Sequence, residues 1–269
     1  MKVISEIHQK IDIPLLNKIS DLFEYRMFPL LMDKIDETSE KKHDFYQHLT
    51  SLQTSIYHLD AHLEKNWIVD EKIRLEHWHN IITQTKKCLP KDMSPHSFLT
   101  HIHKYEKHEL AIRNGKLPTR FKMEYFYFYK SCDVKLLRRL IYLFGNLESR
   151  IGSLTLWRDF DFVTEVNDDI EDVFEDMSFY NGNRFLIHLL VHGKKSAEKE
   201  FSEFLNNLKD KISIKLNSLK MDSFAYEINS FAFLQCENTL HLLSEKLEII
   251  EMNRLNKESV LRGYLYKWV

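Results

Sequence analysis

Apolar residues recur at three- and four-residue spacing along almost the whole chain, the signature of amphipathic helices, and the places where this rhythm stops divide it into segments. The first stop is Pro29, inside Arg26-Met-Phe-Pro-Leu-Leu31, after which the charged stretch Asp33 to His43 reads as a connection. One long amphipathic run from about Phe45 to Leu89 follows and ends at Pro90 and Pro95, where Ser94-Pro-His-Ser97 has the composition of a new helix start. That helix stops near Asn114-Gly115, and Pro118-Thr119 opens an aromatic and basic segment reaching about Asn146. Helix is predicted again from Thr155 to Met177 and, beyond Asn181-Gly182-Asn183, from Arg184 to about Leu219 with a kink at His192-Gly193. Two further helices from about Ser223 complete the pattern. No repeat, low-complexity tract or long linker intervenes, so the expectation is one all-α domain over residues 1–269.

Composition agrees with this. The chain has only 6 Gly and 5 Pro in 269 residues, about a third of the usual combined share, and sheet-rich folds need far more of both at their turns. With 43% hydrophobic and 13% aromatic residues it can bury a sizeable core. Charge is balanced, 38 basic against 40 acidic residues, which gives no general attraction to nucleic acid or to an anionic membrane. Cys88, Cys132 and Cys236 have no paired spacing, so neither a disulfide framework nor a cysteine zinc site is expected. The start, from Met1 to Pro14, lacks the apolar run of a signal peptide, and nothing approaches a membrane span; a soluble, cytoplasmic protein is expected.

Candidate chemistry is local. From Asp159 to Asp176 nine of eighteen residues are acidic (Asp159, Asp161, Glu165, Asp168, Asp169, Glu171, Asp172, Glu175, Asp176) and none is basic. On a helix Asp168, Asp172 and Glu175 share a face that suits a hard divalent cation such as Mg2+. The competing explanation is a solvated face opposite the apolar stripe Val163, Val166, Ile170, Val173, Phe174 and Met177. Density of like charge without a basic neighbour costs helix stability and invites a counter-ion. A basic complement lies upstream in Arg113, Lys116, Arg120, Lys122, Lys130, Lys135, Arg138 and Arg139, interleaved with the aromatic run Tyr125 to Tyr129, of which some members must be buried. Earlier still, Asp60 and Glu64 share one helical face and His58 and His62 an adjacent one.

Taken in order, these segments resemble the class I isoprenoid synthases, the all-α superfamily of trans-prenyltransferases and terpene cyclases. Asn167-Asp-Asp-Ile-Glu-Asp-Val-Phe-Glu175 resembles the second aspartate-rich motif, DDxxD, of prenyltransferases, and equally a variant of the NDxxSxxxE motif of cyclases with Asn167, Glu171 and Glu175 at the metal positions. Leu156 to Val166 resembles the helix leading into that motif, and Asn183 to Ala197 the leucine-rich helix after it. Gly115 to Ser131 resembles the segment ending in the Lys-Thr pair of prenyltransferases, with Lys130 as the diphosphate lysine and Arg120 near the diphosphate-sensing arginine of cyclases. Asp60-Ala-His-Leu-Glu64 falls where the first DDxxD belongs, and Arg26 to Leu31 echoes an early RPLL-type segment. The resemblance spans nearly the whole chain. It departs at Ala61, where a carboxylate is missing, and in the absence of an arginine pair after Glu64; with Arg26 as the remnant of a GKxxR-type segment, the second diphosphate site of a chain-elongating enzyme is not present.

The resemblance implies a bundle of long helices around a central cavity, in which Asp60, Glu64, Asn167, Asp168, Glu171, Asp172 and Glu175 hold Mg2+ against an allylic prenyl diphosphate. Asp60, Asp168, Asp172 and Lys130 would carry the ionisation, Arg120 and Lys130 would bind the leaving group, and Arg262 and Tyr264 would close over it. Tyr125 to Tyr129, Trp157, Phe160 and Phe162 are candidates for an aromatic lining. This implies a terpene synthase-like enzyme, compatible with a homodimer. The rivals are a trans-prenyltransferase of the same fold, a non-catalytic binding subunit, and a di-iron bundle suggested by Glu40-Lys-Lys-His43 and Glu76-His-Trp-His79. His101, His103 and His108 are expected to face solvent.

Overall fold

The computed structural model describes residues 13–179, 182–252 and 255, apart from the side chains of 112 and 113. Twelve α-helices follow one another over these residues: α1 (Ile13–Tyr25), α2 (Phe28–Asp33), α3 (Ser39–Lys65), α4 (Glu71–Lys87), α5 (His96–Arg113), α6 (Met123–Lys130), α7 (Cys132–Gly145), α8 (Glu148–Ile151), α9 (Arg158–Glu171), α10 (Arg184–His192), α11 (Lys194–Ser218) and α12 (Phe224–Ile249). Single 3-10 turns lie at Pro118–Arg120, Leu154–Trp157 and Asp176–Ser178, and no strand occurs among the described residues. No described helix is long and apolar enough to cross a membrane. All three cysteines are buried and free.

Helix ends follow from local chemistry, and several differ from the expectation. Thr38 caps α3, accepting from the Lys41 N–H, so Glu40 and His43 lie in its first turns and not in a connection. The run from Phe45 to Leu89 is two helices, because Asp70 accepts from the N–H groups of Lys72 (2.9 Å) and Ile73 (3.1 Å) and starts α4 after a turn containing neither Gly nor Pro. Asn146 ends α7 in the left-handed region (φ 47°), and Gly193 (φ 82°) separates α10 from α11 where a kink was expected. Met27, also left-handed (φ 59°, ψ 33°), turns the chain between α1 and α2 and sends Arg26 inward.

Helix α9 stops at Glu171, six residues before Met177. Its next hydrogen bond would come from Val173 to the Asp169 carbonyl, but the Asn183 side chain takes that carbonyl at 2.8 Å and also donates to Asp176 at 2.7 Å. The remaining acids thus leave the helix in a turn pinned to the start of α10.

Helix α9 lies at the centre of the bundle, packed on α6, α10, α11 and α12, with 11 of its 14 residues buried. Val163, Val166, Ile170 and Val173 have no exposed surface. Burial on every side takes Asp159, Asp161, Glu165 and Asp169 into the interior too, and each meets a cation from another helix. Asp159 pairs with Lys211 (3.1 Å) and Lys215, Asp161 with Arg138 (2.5 Å), Glu165 with Arg26 (2.9 Å) and Asp169 with Lys130. The acidic segment therefore has its basic neighbours across the fold, correcting the expectation of uncompensated charge for this half of it. Asp168, which Arg26 also reaches at 2.8 Å, lines the cavity together with Glu165, Asp172, Glu175 and Asp176.

Candidate functional site

One cavity of about 550 Å3 opens between α1, α3, α5, α6, α7 and the end of α9. Asp60 and Glu64 line it from α3, Asp168 from α9, and Asp172, Glu175 and Asp176 from the turn after α9. Lys130, the last residue of α6, lines it as well. Six carboxylates predicted or adjacent to prediction thus share one space with the predicted lysine. Termination of α9 does not remove Asp172 and Glu175 from it: both line the cavity from the turn that Asn183 pins to Asp169 and Asp176.

Other predicted residues lie elsewhere. Asn167 is buried against α12, accepting from Thr239 (3.0 Å) and Gln235 (3.2 Å), while Glu171 is exposed beside it and takes the Asn167 amide N–H at 3.2 Å. Neither lines the cavity, so of the two motif patterns only the carboxylates Asp168 and Asp172, together with Glu175, reach it. Arg120 sits exposed on the 3-10 turn outside the lining. Arg113's side chain, Arg262 and Tyr264 fall outside the described residues. Of the aromatic candidates, Tyr125, Phe126 and Tyr129 line the cavity, whereas Trp157, Phe160 and Phe162 are core residues with at most 2% exposure. The fully buried Tyr127 serves Asp169, donating to it at 2.8 Å.

Asp169 is the hub that fixes Lys130. Its carboxylate accepts from Tyr127, from Lys130 and from the Arg184 backbone N–H at 2.9 Å. Burial opposes the Lys130 charge, but Asp169, Glu165 and Asp176 outweigh it and hold the ammonium above its ordinary range. Arg184 in turn donates to the carbonyls of Pro118 (2.6 Å) and Phe121 (2.7 Å), anchoring the loop that carries Phe121 to the cavity wall.

Several lining residues were not singled out from the sequence. Glu109 and Asp133 add carboxylates and Tyr57 and Tyr105 add rings, while Glu165 of the acidic segment and His108, expected to face solvent, line the cavity too. His101 and His108 are half-buried and so not simply solvent-facing, whereas His103 is exposed as expected, its ring stacked on Trp78 at 3.8 Å. Arg26 bridges Glu165 (2.9 Å) and Asp168 (2.8 Å) at the cavity wall. Among the described residues the lining cations are Lys18, Arg26, Lys65 and Lys130, against nine lining carboxylates besides Glu106, which is engaged by Trp78 and Arg74.

That imbalance appears in the acids themselves. Burial, then Glu64, Asp133 and Glu109, push Asp60 well above its usual range; burial raises Asp168 against the pull of Arg26 and Lys130. Asp172 rises to about 6 through burial and the nearby Asp176, Asp168 and Glu175. A cation entering this space would relieve the repulsion, and the donors are the hard oxygens that Mg2+ prefers. Among the described residues no three His, Cys, Asp or Glu side chains already converge on one metal position. The carboxylates are spread over facing walls, an arrangement that fits an ion keeping several waters and bridging to a ligand's phosphate oxygens.

The di-iron motifs do not meet. His77 on α4 lies against His58 and His62 on α3 (ring centroids 6.4 and 5.5 Å), which places Glu76 beside the far end of α3. Glu40 is 18 residues before His58, roughly 27 Å along the helix at 1.5 Å per residue. Glu40, His43, Glu76 and His79 are all exposed.

Burial pushes Glu165 up to about 8 even against the Arg26 charge, compared with 4.5 for a free glutamate. Between those values the folded chain holds a proton that the unfolded chain has lost, so stability falls as pH rises. His77, His101, His103 and His108, held below 6.5 by burial, act in the opposite sense below that pH. The melting temperature is therefore expected to fall from about pH 6.5 to 8, and Glu165→Gln should flatten the slope. A melting temperature rising across that window in the unsubstituted chain would contradict this.

In comparisons with known protein families, curated proteins and solved structures, the chain matches none.

Proposed function

We propose that the chain is a terpene synthase-like enzyme that ionises an allylic prenyl diphosphate with Mg2+ and converts the resulting carbocation to a terpenoid. The observation that carries this is the meeting in one cavity of Asp60 and Glu64 from α3 with Asp168, Asp172 and Glu175 from α9 and its following turn, beside Lys130. These carboxylates would hold Mg2+, which supplies Lewis acidity toward the leaving diphosphate when bound. Lys130, kept protonated by Asp169, offers a positive charge to the same group. The apolar wall from Leu22, Leu59, Leu63 and Ile102 suits an isoprenoid tail and keeps water from the cation. Phe121, Tyr125, Phe126 and Tyr129 line the same space and would offer aromatic surface where positive charge develops.

Elongation would require a second diphosphate to bind. Arg26 is tied to Glu165 and Asp168 and Lys130 to Asp169, which leaves Lys18 and Lys65 as the other lining cations among the described residues. That supply favours a single-diphosphate reaction over prenyl transfer.

Purified chain incubated with Mg2+ and a panel of geranyl, farnesyl and geranylgeranyl diphosphates is expected to release pyrophosphate and form hydrocarbon or alcohol products without added isopentenyl diphosphate. A panel that stays silent without isopentenyl diphosphate and reacts with it would make the enzyme a prenyltransferase. Silence in both would leave a binding subunit.

A further inference from the structure

The junction of α10 and α11 holds three side chains remote from the cavity chemistry. His188, on α10 and 5% exposed, reaches across the Gly193 turn to α11. Its Nε2 lies 3.0 Å from the Ser196 hydroxyl, and its Nδ1 lies 2.6 Å from a carboxylate oxygen of Glu200, one turn further along α11. That oxygen stands off the axis of the ring N–H, so the contact is a close electrostatic approach and not a straight hydrogen bond. The second Glu200 oxygen accepts from Arg184 at 2.5 Å. Although burial pushes Glu200 up, His188 and Arg184 pull it down to about 2, so it is an anion at neutral pH. Ser196 itself is exposed. A hydroxyl on one imidazole nitrogen and a carboxylate on the other is the disposition in which the ring accepts the serine proton while the acid orients it.

The surroundings supply the remaining requirement, donors for a developing oxyanion. Gly193 precedes α11 with no side chain to cap it, and a Cβ built there would meet nothing within 4 Å, so the space before the helix is open. The N–H groups of Lys194 and Lys195 have no acceptor within the helix. The first turn of a helix 25 residues long favours negative charge at that point.

We propose that Ser196, His188 and Glu200 form a second reactive site, distinct from the cavity, which takes acyl groups from carboxylic esters or thioesters. Ser196 Oγ adds to the carbonyl carbon as its proton passes to His188 Nε2, and the carbonyl oxygen becomes an anion facing the Lys194 and Lys195 N–H groups. The bond from that carbon to the leaving oxygen or sulfur then breaks, and the leaving group takes the proton from His188. Water attacks the acyl-serine with His188 again accepting a proton; the proton returns to Ser196 as the carboxylic acid departs. Ser196 is the nucleophile, His188 the base, and Glu200 a positioning residue.

The test treats the full chain with a fluorophosphonate probe and maps the adduct by peptide mass spectrometry. One adduct on Ser196 is expected, absent in Ser196→Ala. Hydrolysis of p-nitrophenyl acetate should fall about 100-fold in that variant, with its melting temperature and its pyrophosphate release unchanged. Glu200→Gln should lower kcat with KM unchanged, and Glu200→Asp should restore part of the loss; an equal change in kcat for all esters accompanied by a raised KM would remove the positioning role. An unlabelled wild-type chain, an adduct on another residue, or ester hydrolysis that survives in Ser196→Ala overturns the proposal.

Discussion

Asp161→Ala is expected to destabilise the fold by about 3–5 kcal/mol, the range for removing one partner of a buried ion pair. Arg138 and Asp161 are 1% and 2% exposed, joined through contacts of 2.5 and 2.7 Å. The guanidinium also donates to the Arg26 carbonyl at 3.2 Å and lies 4.3 Å from the Trp157 ring centroid. Burial already disfavours its charge, pulling it below its ordinary range despite Asp161. Without the carboxylate a cation would remain in the core with one carbonyl and an aromatic face for company. Urea unfolding should show a large fall in midpoint for Asp161→Ala, a smaller one for Asp161→Asn, and substantial recovery in the double variant Arg138→Met with Asp161→Leu, where no buried charge remains. A single variant within 1 kcal/mol of wild type would mean that water reaches this site.

That pair explains where the sequence was readable and where it was not. Breaks made by local chemistry were visible: Asn114-Gly115, Pro118, the left-handed Asn146 and Gly193 all sit at helix boundaries in the structure. The start of α4 was hidden because Asp70 achieves it by capping, inside a stretch whose apolar period continues on either side. The end of α9 was hidden because a residue twelve positions later, Asn183, takes the Asp169 carbonyl. Buried acids were read as a solvated or metal-binding face, since an amphipathic pattern cannot distinguish water from a cation carried on another helix. One signal was available. Asp161 and Glu165 stand among Phe160, Phe162, Val163 and Val166, and Glu106 and Glu109 continue the buried face of Phe98, Leu99 and Ile102, so each is an acid at a position where the helical period asks for an apolar side chain. Acids so placed are expensive unless paired or functional, and here α9 carries the paired ones while Glu109 lines the cavity.

Within the candidate site, the α3 wall and the turn after α9 can be tested separately. Asp172→Asn is expected to lower pyrophosphate release by about 100-fold or more, the scale on which loss of one preorganised charge-stabilising group acts. Asp60→Asn should do the same from the opposite wall. Asp60 is the demanding case: Ala61 removes one carboxylate of the resembled motif, yet Glu64, Asp133 and Glu109 crowd Asp60 strongly enough to raise it well above its usual range. If that crowding marks a place where a cation is wanted, neutralising Asp60 weakens Mg2+ dependence as well as turnover, and the Mg2+ concentration for half-maximal rate should rise. Glu171→Gln supplies the contrast, because Glu171 is exposed beside α12 and outside the cavity lining. Its variant should turn over at close to the wild-type rate. A Glu171→Gln loss equal to that of Asp172→Asn would shift the metal positions to the Asn167, Glu171 and Glu175 pattern and require the end of α9 to rearrange when substrate binds. An Asp60→Asn enzyme with full activity would leave the turn after α9 and Lys130 as the whole ionising apparatus, with the acids of α3 reduced to a charged wall.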